Sequence, residues 1–443
     1  MFLSKTFLHV YADNRRRFLE NLNGDAALIF SNPHLTRSHD TEFPYRQCSD
    51  ILYLSGWEDP DSVILLRPNS DEPFILFVQP KNKEREIWTG RRLGPKGAVE
   101  EYGADAAYPV DELYKRLPAL LHGYETLHYR FTESAQRDKK VMKSVAAAKR
   151  MARRNHMTAP KYFVDLDDVL HQQRLIKSEL EISIMIKSAE ITKEAHVEAM
   201  KMTAPGVNEC ELDAKISQVF RSRGGSGPGY TSIVGGGDNA VILHYISNNA
   251  PLKDGDVVCV DAGCEYAWYT TDVTRAWPVN GVFTSAQRKL YTAVLKAQKA
   301  SIAEVQEGAS FEDVHLASVY SLTESLIELG FLKGEVQERV DDLSYRKYFM
   351  HGTSHWLGID VHDMGRREEG GQSVTLREGM VLTIEPGLYV ASDDESVPEE
   401  YRGIGIRIED DILVSSAGPM NLTKDIPKEI EEIESLMATK TVS

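Results

Sequence analysis

The sequence predicts an α/β protein of two domains, the second built from an internal repeat. Three observations carry this: short apolar runs alternating with helical stretches before residue 150, a polar Pro-containing link near residue 160, and two pairs of matching segments beyond it. In the first part, AALIF, DILYLSG, SVILL, FILFV and ETLHYRF are bounded by turn residues and read as strands. DELYKRLPALLHG and ESAQRDKKVMKSVAAAKRMARR read as helices. The stretch from Asn155 to about Asp168 is polar, and a long helix from Ser178 to Met202 follows it. The domain boundary is placed near residue 172, giving domains 1–172 and 173–443.

The repeat needs no second sequence to be seen. Gly206-Val207-Asn208 is echoed by Gly308-Ala309-Ser310, each after a helical stretch and each offering an N-cap residue to the next helix. Further on, GDVVCVDAG from Gly255 is matched by GMVLTIEPG from Gly379, with an acid six residues after the first glycine in both, Asp261 and Glu385. Each half then supplies a second acid on what reads as a β segment, Asp272 in TTDVTRAW and Glu409 in GIRIEDDI. Two such halves about a pseudo-twofold axis would bring four carboxylates together.

Composition excludes several classes. The 443 residues include 42% hydrophobic and 27% charged residues, the balance of a globular chain with a sizeable core. A net charge of −16 repels nucleic acid and anionic membrane, and the basic stretch 139–154 lacks interleaved aromatics, so it reads as a solvated helix face. Four cysteines at Cys48, Cys210, Cys259 and Cys264 form no C-x-x-C pair, which points away from a disulfide framework and towards a reducing compartment. The N-terminal stretch is basic around Arg15–Arg17 and lacks a signal-peptide apolar segment, and no apolar run reaches membrane-spanning length. The expected location is the cytoplasm, a transit peptide being the lesser alternative because acids are absent before Asp13.

Acids are seldom buried unless paired or bound to a cation, so strand-borne acids placed symmetrically point to metal. Histidines reinforce this. His351, His355 and His362 fall within FMHGTSHWLGIDVHD, and His244 ends the apolar run AVILHY. Four carboxylates and an imidazole form a hard donor set that suits Mn²⁺ or a similar ion, and four negative charges balance two divalent cations. Such a pair hydrolyses an amide or a phosphate ester. Tyr230, Trp356 and Tyr389, with arginine nearby and no Gly-rich phosphate loop, favour a peptide-sized substrate.

At VVCVDAGCEYAWYTTDVTR, HGTSHWLGIDVHD, TIEPGLYV, GIRIEDD and SIVGGGDNAVILHY the sequence resembles the metallopeptidases of the pita-bread fold, within them the aminopeptidase P (Xaa-Pro aminopeptidase) group. TRSHDTEFPYRQCSDILYLSGWEDP and EIWTGRRLG extend the likeness to the first domain. The resemblance implies an N-terminal α/β domain, a C-terminal pita-bread domain and release of the first residue from peptides with proline second. It implies Asp261, Asp272, His355, Glu385 and Glu409 as ligands of two divalent ions, with Asp272 and Glu409 bridging, and Glu385 also as proton acceptor. His362 would hydrogen-bond the scissile carbonyl oxygen or the developing oxyanion, and His244 would hand a proton to the leaving nitrogen. His351, Tyr389 and Arg407 would line the proline pocket, and Tyr230 would border the first residue.

An Xaa-Pro bond has no N–H to grip, so selection must come from shape around the ring. Trp88 is the candidate wall limiting the chain before the scissile bond, contributed by the same chain or by a neighbour in a homodimer or homotetramer. Trp268, Thr271 and Thr353 depart from the expected pattern without replacing a ligand. Two rivals stand beside this reading: prolidase, confined to Xaa-Pro dipeptides, and a catalytically silent binding module, which the filled ligand positions disfavour.

Overall fold

The structure is a computed structural model that describes residues 6–439. The chain divides into two compact units, Met1–Gln173 and Arg174–Ser443.

The first unit is built on a mixed six-stranded sheet. Its strands, in spatial order, are Ala106–Pro109, Phe74–Val78, Val63–Leu66, Ala26–Phe30, Thr126–His128 and Tyr162–Val164. The three middle strands pair antiparallel and the outer ones add parallel. The helix Ala135–Asn155 is capped by Ser134 and buries Val141, Val145, Ala148 and Ala152, a one-sided stripe at helical spacing that packs in the sheet's core cluster. Its lysines and arginines lie largely on the opposite, solvated face.

One expected strand is a helix. DILYLSG forms Ser49–Ser55, which ends where Gly56 takes a left-handed φ of 67° and returns its N–H to Leu52. Every residue from Asp50 to Ser55 is buried, so the run is apolar all round and carries no periodicity to separate a short buried helix from a strand.

In the second unit the repeat is visible in backbone hydrogen bonds. The helix Glu179–Met202 carries a Ser178–Glu181 capping box, and Glu209–Ser222 follows, capped by Asn208. In the other half, Ser285–Glu304 is followed by Phe311–Glu328, capped by Ser310. Gly206 donates to Leu252 and Gly308 to Leu376, while Leu252 donates to Val207 and Leu376 to Ala309. Gly255 and Gly379 open the acid-bearing strands in matching turns at φ of 85° and 87°, which only glycine adopts without strain.

Each half then forms a three-stranded antiparallel sheet. The first contains Ile233–Gly236, Val257–Asp261 and Thr274–Pro278, the second Val381–Ile384, Asp410–Ser415 and Gly418–Asn421. Gly387–Val390 and Ile404–Arg407 form a separate antiparallel pair. The larger core cluster joins helix and strand residues such as Leu212, Val258, Trp277, Leu290 and Ile406. Among the described residues, no helix is long and apolar enough to cross a membrane.

Candidate metal centre

The acids cluster where ladders end. Asp261 is the last residue of its strand, opposite Thr274, and Glu385 follows Val381–Ile384 directly. Asp272 and Glu409 were expected within β segments, but stand in the links just before Thr274–Pro278 and Asp410–Ser415. Their N–H groups join no ladder within their own half and cross between the halves instead. Asp272 N–H donates to the Asp411 carboxylate at 3.2 Å, and Glu409 N–H to the Thr274 carbonyl at 3.0 Å.

Histidine enters from the loop after residue 350. His355 is held by a backbone bond from Thr383 N–H at 3.0 Å and donates its own N–H to Thr383 Oγ1 at 3.2 Å. Its Nε2 lies 3.3 Å from Asp272 Oδ2 and 3.6 Å from Glu385 Oε1. On the other side, Nδ1 sits 3.0 Å from the Trp356 carbonyl, which assigns the proton to Nδ1 and turns the Nε2 lone pair towards the two carboxylates. Two lone-pair donors can share that space only with a proton or a cation between them.

The electrostatics show the same excess of negative donors. Burial, reinforced by Asp261, raises the Asp272 carboxyl above its usual range, and burial with Asp272 and Glu385 drives Glu409 far up. Burial brings Glu385 to about 7 against the opposing pull of His355 and Arg407. His355 loses charge to burial but gains more from Asp272 and Glu385, rising to about 9. Donor atoms of Asp272, His355 and Glu409 lie within 4.8 Å of one another, and the buried Asp272 Oδ1 has no hydrogen-bond partner. An unpartnered carboxylate oxygen beside an imidazole nitrogen and two further carboxylates fits a divalent cation that takes the place of the imidazole's second proton.

Around this cluster runs a cleft of about 530 Å³, lined by all five proposed ligands and by Tyr230, His244, His351, His362 and Arg407. Asp261 accepts from Tyr230 Oη at 2.6 Å and from Arg407 Nη2 at 2.7 Å. Tyr389 is buried behind the wall, its hydroxyl 2.9 Å from His351 Nε2 and 3.0 Å from Arg407 Nη1. Burial, helped by Arg407, lowers His351 to about 4, so this imidazole is neutral at physiological pH. The His362 ring meets His355 edge-on at 4.5 Å, and burial lowers its pKa too.

Trp88 lies in the first unit, on the short helix Lys83–Thr89, and is 87% exposed. Sequence reasoning passed over Thr274, whose hydroxyl donates to Glu409 Oε2 at 2.6 Å and accepts from Arg407 Nε at 3.0 Å. It also passed over Asp411. The acidic pair directly after Glu409 was the available signal for that residue.

Comparison with known proteins agrees with this geometry. Residues 183–416 match the model of metallopeptidase family M24, and residues 11–129 that of the aminopeptidase P N-terminal domain. The chain belongs to metallopeptidase family M24. Among curated relatives, an Xaa-Pro aminopeptidase of Escherichia coli is 43% identical over 426 residues, 96% of each chain. One from Haemophilus influenzae is 38% identical over 98% of this chain and 99% of its own. Among solved structures, the Pseudomonas aeruginosa aminopeptidase PepP superposes with a TM-score of 0.94 at 39% identity, covering 98% of both chains. Zinc-substituted Escherichia coli aminopeptidase P in complex with product gives 0.93 at 42% identity, over 98% of this chain and 99% of that one. The fold is that of aminopeptidase P, an N-terminal α/β domain followed by a pita-bread domain.

Proposed function

We infer that this M24 metallopeptidase is an Xaa-Pro aminopeptidase, a hydrolase that releases the first residue from peptides with proline second. The observation that supports the reading is that one cleft joins a buried cluster of carboxylates and imidazole, suited to hydrolysis, with His351 and Arg407, both tied to the Tyr389 hydroxyl and expected to meet the proline ring.

Asp261, Asp272, His355, Glu385 and Glu409 would hold two divalent ions, manganese by the hardness of the donor set. When bound, the ions would lower the pKa of a water molecule and polarise the scissile carbonyl. Glu385, whose carboxylate borders the cleft beside His355, accepts the proton of the attacking water. His362 hydrogen-bonds the carbonyl oxygen as negative charge develops on it, and His244 delivers a proton to the leaving nitrogen.

Selection for proline rests on His351 and Arg407, held by the Tyr389 hydroxyl as a rigid surface against the ring. Tyr230, fixed by its bond to Asp261, borders the first residue. Trp88, exposed beside Ile87, limits the chain before the scissile bond, on its own subunit or across a homo-oligomer interface. Four free cysteines support a reducing, cytoplasmic setting.

The test is hydrolysis of Xaa-Pro-Xaa, Xaa-Pro and Xaa-Ala-Xaa peptides with added Mn²⁺. Turnover of the proline tripeptide at least matching the dipeptide supports the assignment, and activity confined to the dipeptide makes the protein a prolidase. Failure to bind any divalent ion removes the enzymatic reading altogether. Glu385→Ala, which deletes a ligand and the proton acceptor together, abolishes turnover if these roles are right.

A further inference from the structure

Two threonines within the ligand motifs take no part in the chemistry above, and both are fully buried. Each is tied by its hydroxyl to the helix behind it. Thr271 Oγ1 lies 2.7 Å from Thr192 Oγ1 and 3.3 Å from Ser188 Oγ, both on Glu179–Met202. Thr353 Oγ1 lies 2.8 Å from His315 Nδ1 and 2.5 Å from Ser318 Oγ, both on Phe311–Glu328 of the other half.

The Thr353 set closes with either of two assignments of protons: Thr353 donates to Ser318 and accepts from His315, or accepts from Ser318 and donates to the unprotonated Nδ1 of His315. In the first, Ser318 donates to the His315 carbonyl at 2.8 Å and its oxygen accepts from the Thr353 hydroxyl. Thr353 Oγ1 in turn accepts from His315 Nδ1–H. The set closes only around a group at 353 that both donates and accepts.

What it secures is backbone. The Thr353 carbonyl accepts Glu385 N–H at 2.8 Å, and the same short ladder continues through His355 to Thr383 and through Leu357 to Val381. Thr353 is therefore the rung that faces Glu385. On its far side the chain leaves through Gly352, where an added Cβ would meet nothing within 4 Å, so packing at that residue does not brace the segment.

We propose that Thr353 is a positioning residue for Glu385: the His315–Thr353–Ser318 knot fixes the rung from which the Glu385 carboxylate projects into the cleft. The proposal rests on Glu385 as proton acceptor, whose alignment with the attacking water a small displacement would spoil.

Thr353→Val preserves shape and removes both side-chain hydrogen bonds. On an Xaa-Pro-Xaa tripeptide with saturating Mn²⁺, kcat falls roughly tenfold to hundredfold, KM stays within about twofold, and bound metal remains at the parent level. Thr353→Ser restores kcat to within about threefold of the parent, because a hydroxyl is all the knot requires. A parental kcat in Thr353→Val overturns the proposal. So does loss of metal in step with activity, which would make Thr353 a support of the ligand set instead. Should Thr353→Val fail to fold, His315→Phe removes the imidazole partner from the other end of the knot and carries the same expectations. Glu385→Ala, assayed alongside, separates the two readings. Residual turnover there removes Glu385 as proton acceptor, whereas a dead Glu385→Ala with a normal Thr353→Val removes the positioning role alone.

Discussion

Replacing Asp410 by asparagine tests how the framework behind the metal centre is held. Five side chains donate to this carboxylate: Arg275 Nη2 at 2.6 Å, Gln298 Nε2 at 2.7 Å, Asn421 Nδ2 and Thr423 Oγ1 at 2.9 Å, and Lys428 Nζ. Arg275 and Asp410 are both 0% exposed. Although burial opposes the charge, Arg275 and Lys428 hold the carboxyl well below its usual range. Asp410→Asn conserves volume but leaves these cations facing a neutral amide. Coulomb attraction at about 4 Å with an effective dielectric near 20 is about 4 kcal/mol, and breaking a buried pair costs about 3–5 kcal/mol.

A loss of this size lowers Tm by roughly 10 °C in a unit as large as residues 174–443. The pH dependence sharpens the test. A depressed native pKa gives stability that is fully present above the unfolded value of about 3.9 and is lost as pH falls through the native value. The gap between parent and variant, measured by circular dichroism on metal-free protein, is therefore constant between about pH 6 and pH 8. A gap below about 1 kcal/mol, or one that closes across that range, refutes the reasoning. Because Arg275 Nη1 also donates to the Glu409 carbonyl at 2.6 Å, the variant binds Mn²⁺ more weakly as well.

The remaining predictions concern single groups. Asp272→Asn, which neutralises a carboxylate within the ligand cluster, loses bound metal by elemental analysis and with it turnover. His351→Ala keeps its metal but lowers the kcat/KM ratio of Xaa-Pro-Xaa over Xaa-Ala-Xaa by about tenfold; loss of metal would refute the division between His355 as ligand and His351 as substrate wall. His196 is fully buried, bonds the Ala262 carbonyl through Nε2 and is lowered to about 4 by burial. Its stabilising effect is present above the unfolded value of about 6.5 and is lost as pH falls towards 4, up to about 3 kcal/mol. His196→Gln flattens that acid limb in equilibrium unfolding, and an unchanged limb would exonerate His196.

Legibility followed periodicity and symmetry. Long amphipathic stretches such as 135–155, and strands bounded by turn residues such as Phe74–Val78, announce themselves because one face or a short run is apolar. Ser49–Ser55 did not, since it is buried on all sides. The acids were legible because an internal repeat places them at equal distances from matching glycines. Their partners were not: Thr274, Asp411 and Thr383 reach Glu409, Asp272 and His355 only after strands far apart in sequence are brought together. Only Asp411 left a trace along the chain, in the acidic pair after Glu409, and that pattern does not name the residue it reaches.

The repeat also explains why a symmetric framework can hold an asymmetric site. Both halves share the glycine turns and the hydrogen bonds that tie each second helix to the segment before its acid-bearing strand. These are backbone features, indifferent to side chains beyond the glycines and caps. The side chains differ between halves. The first half offers two aspartates, one of them bonded to Tyr230 and Arg407, whereas the second offers two glutamates and the loop that carries His351, His355 and His362. Hydrolysis needs such a division, because a general base has to face a group that stabilises developing negative charge. The backbone repeat sets where the carboxylates converge, and the divergence between halves decides which of them is engaged by protein donors.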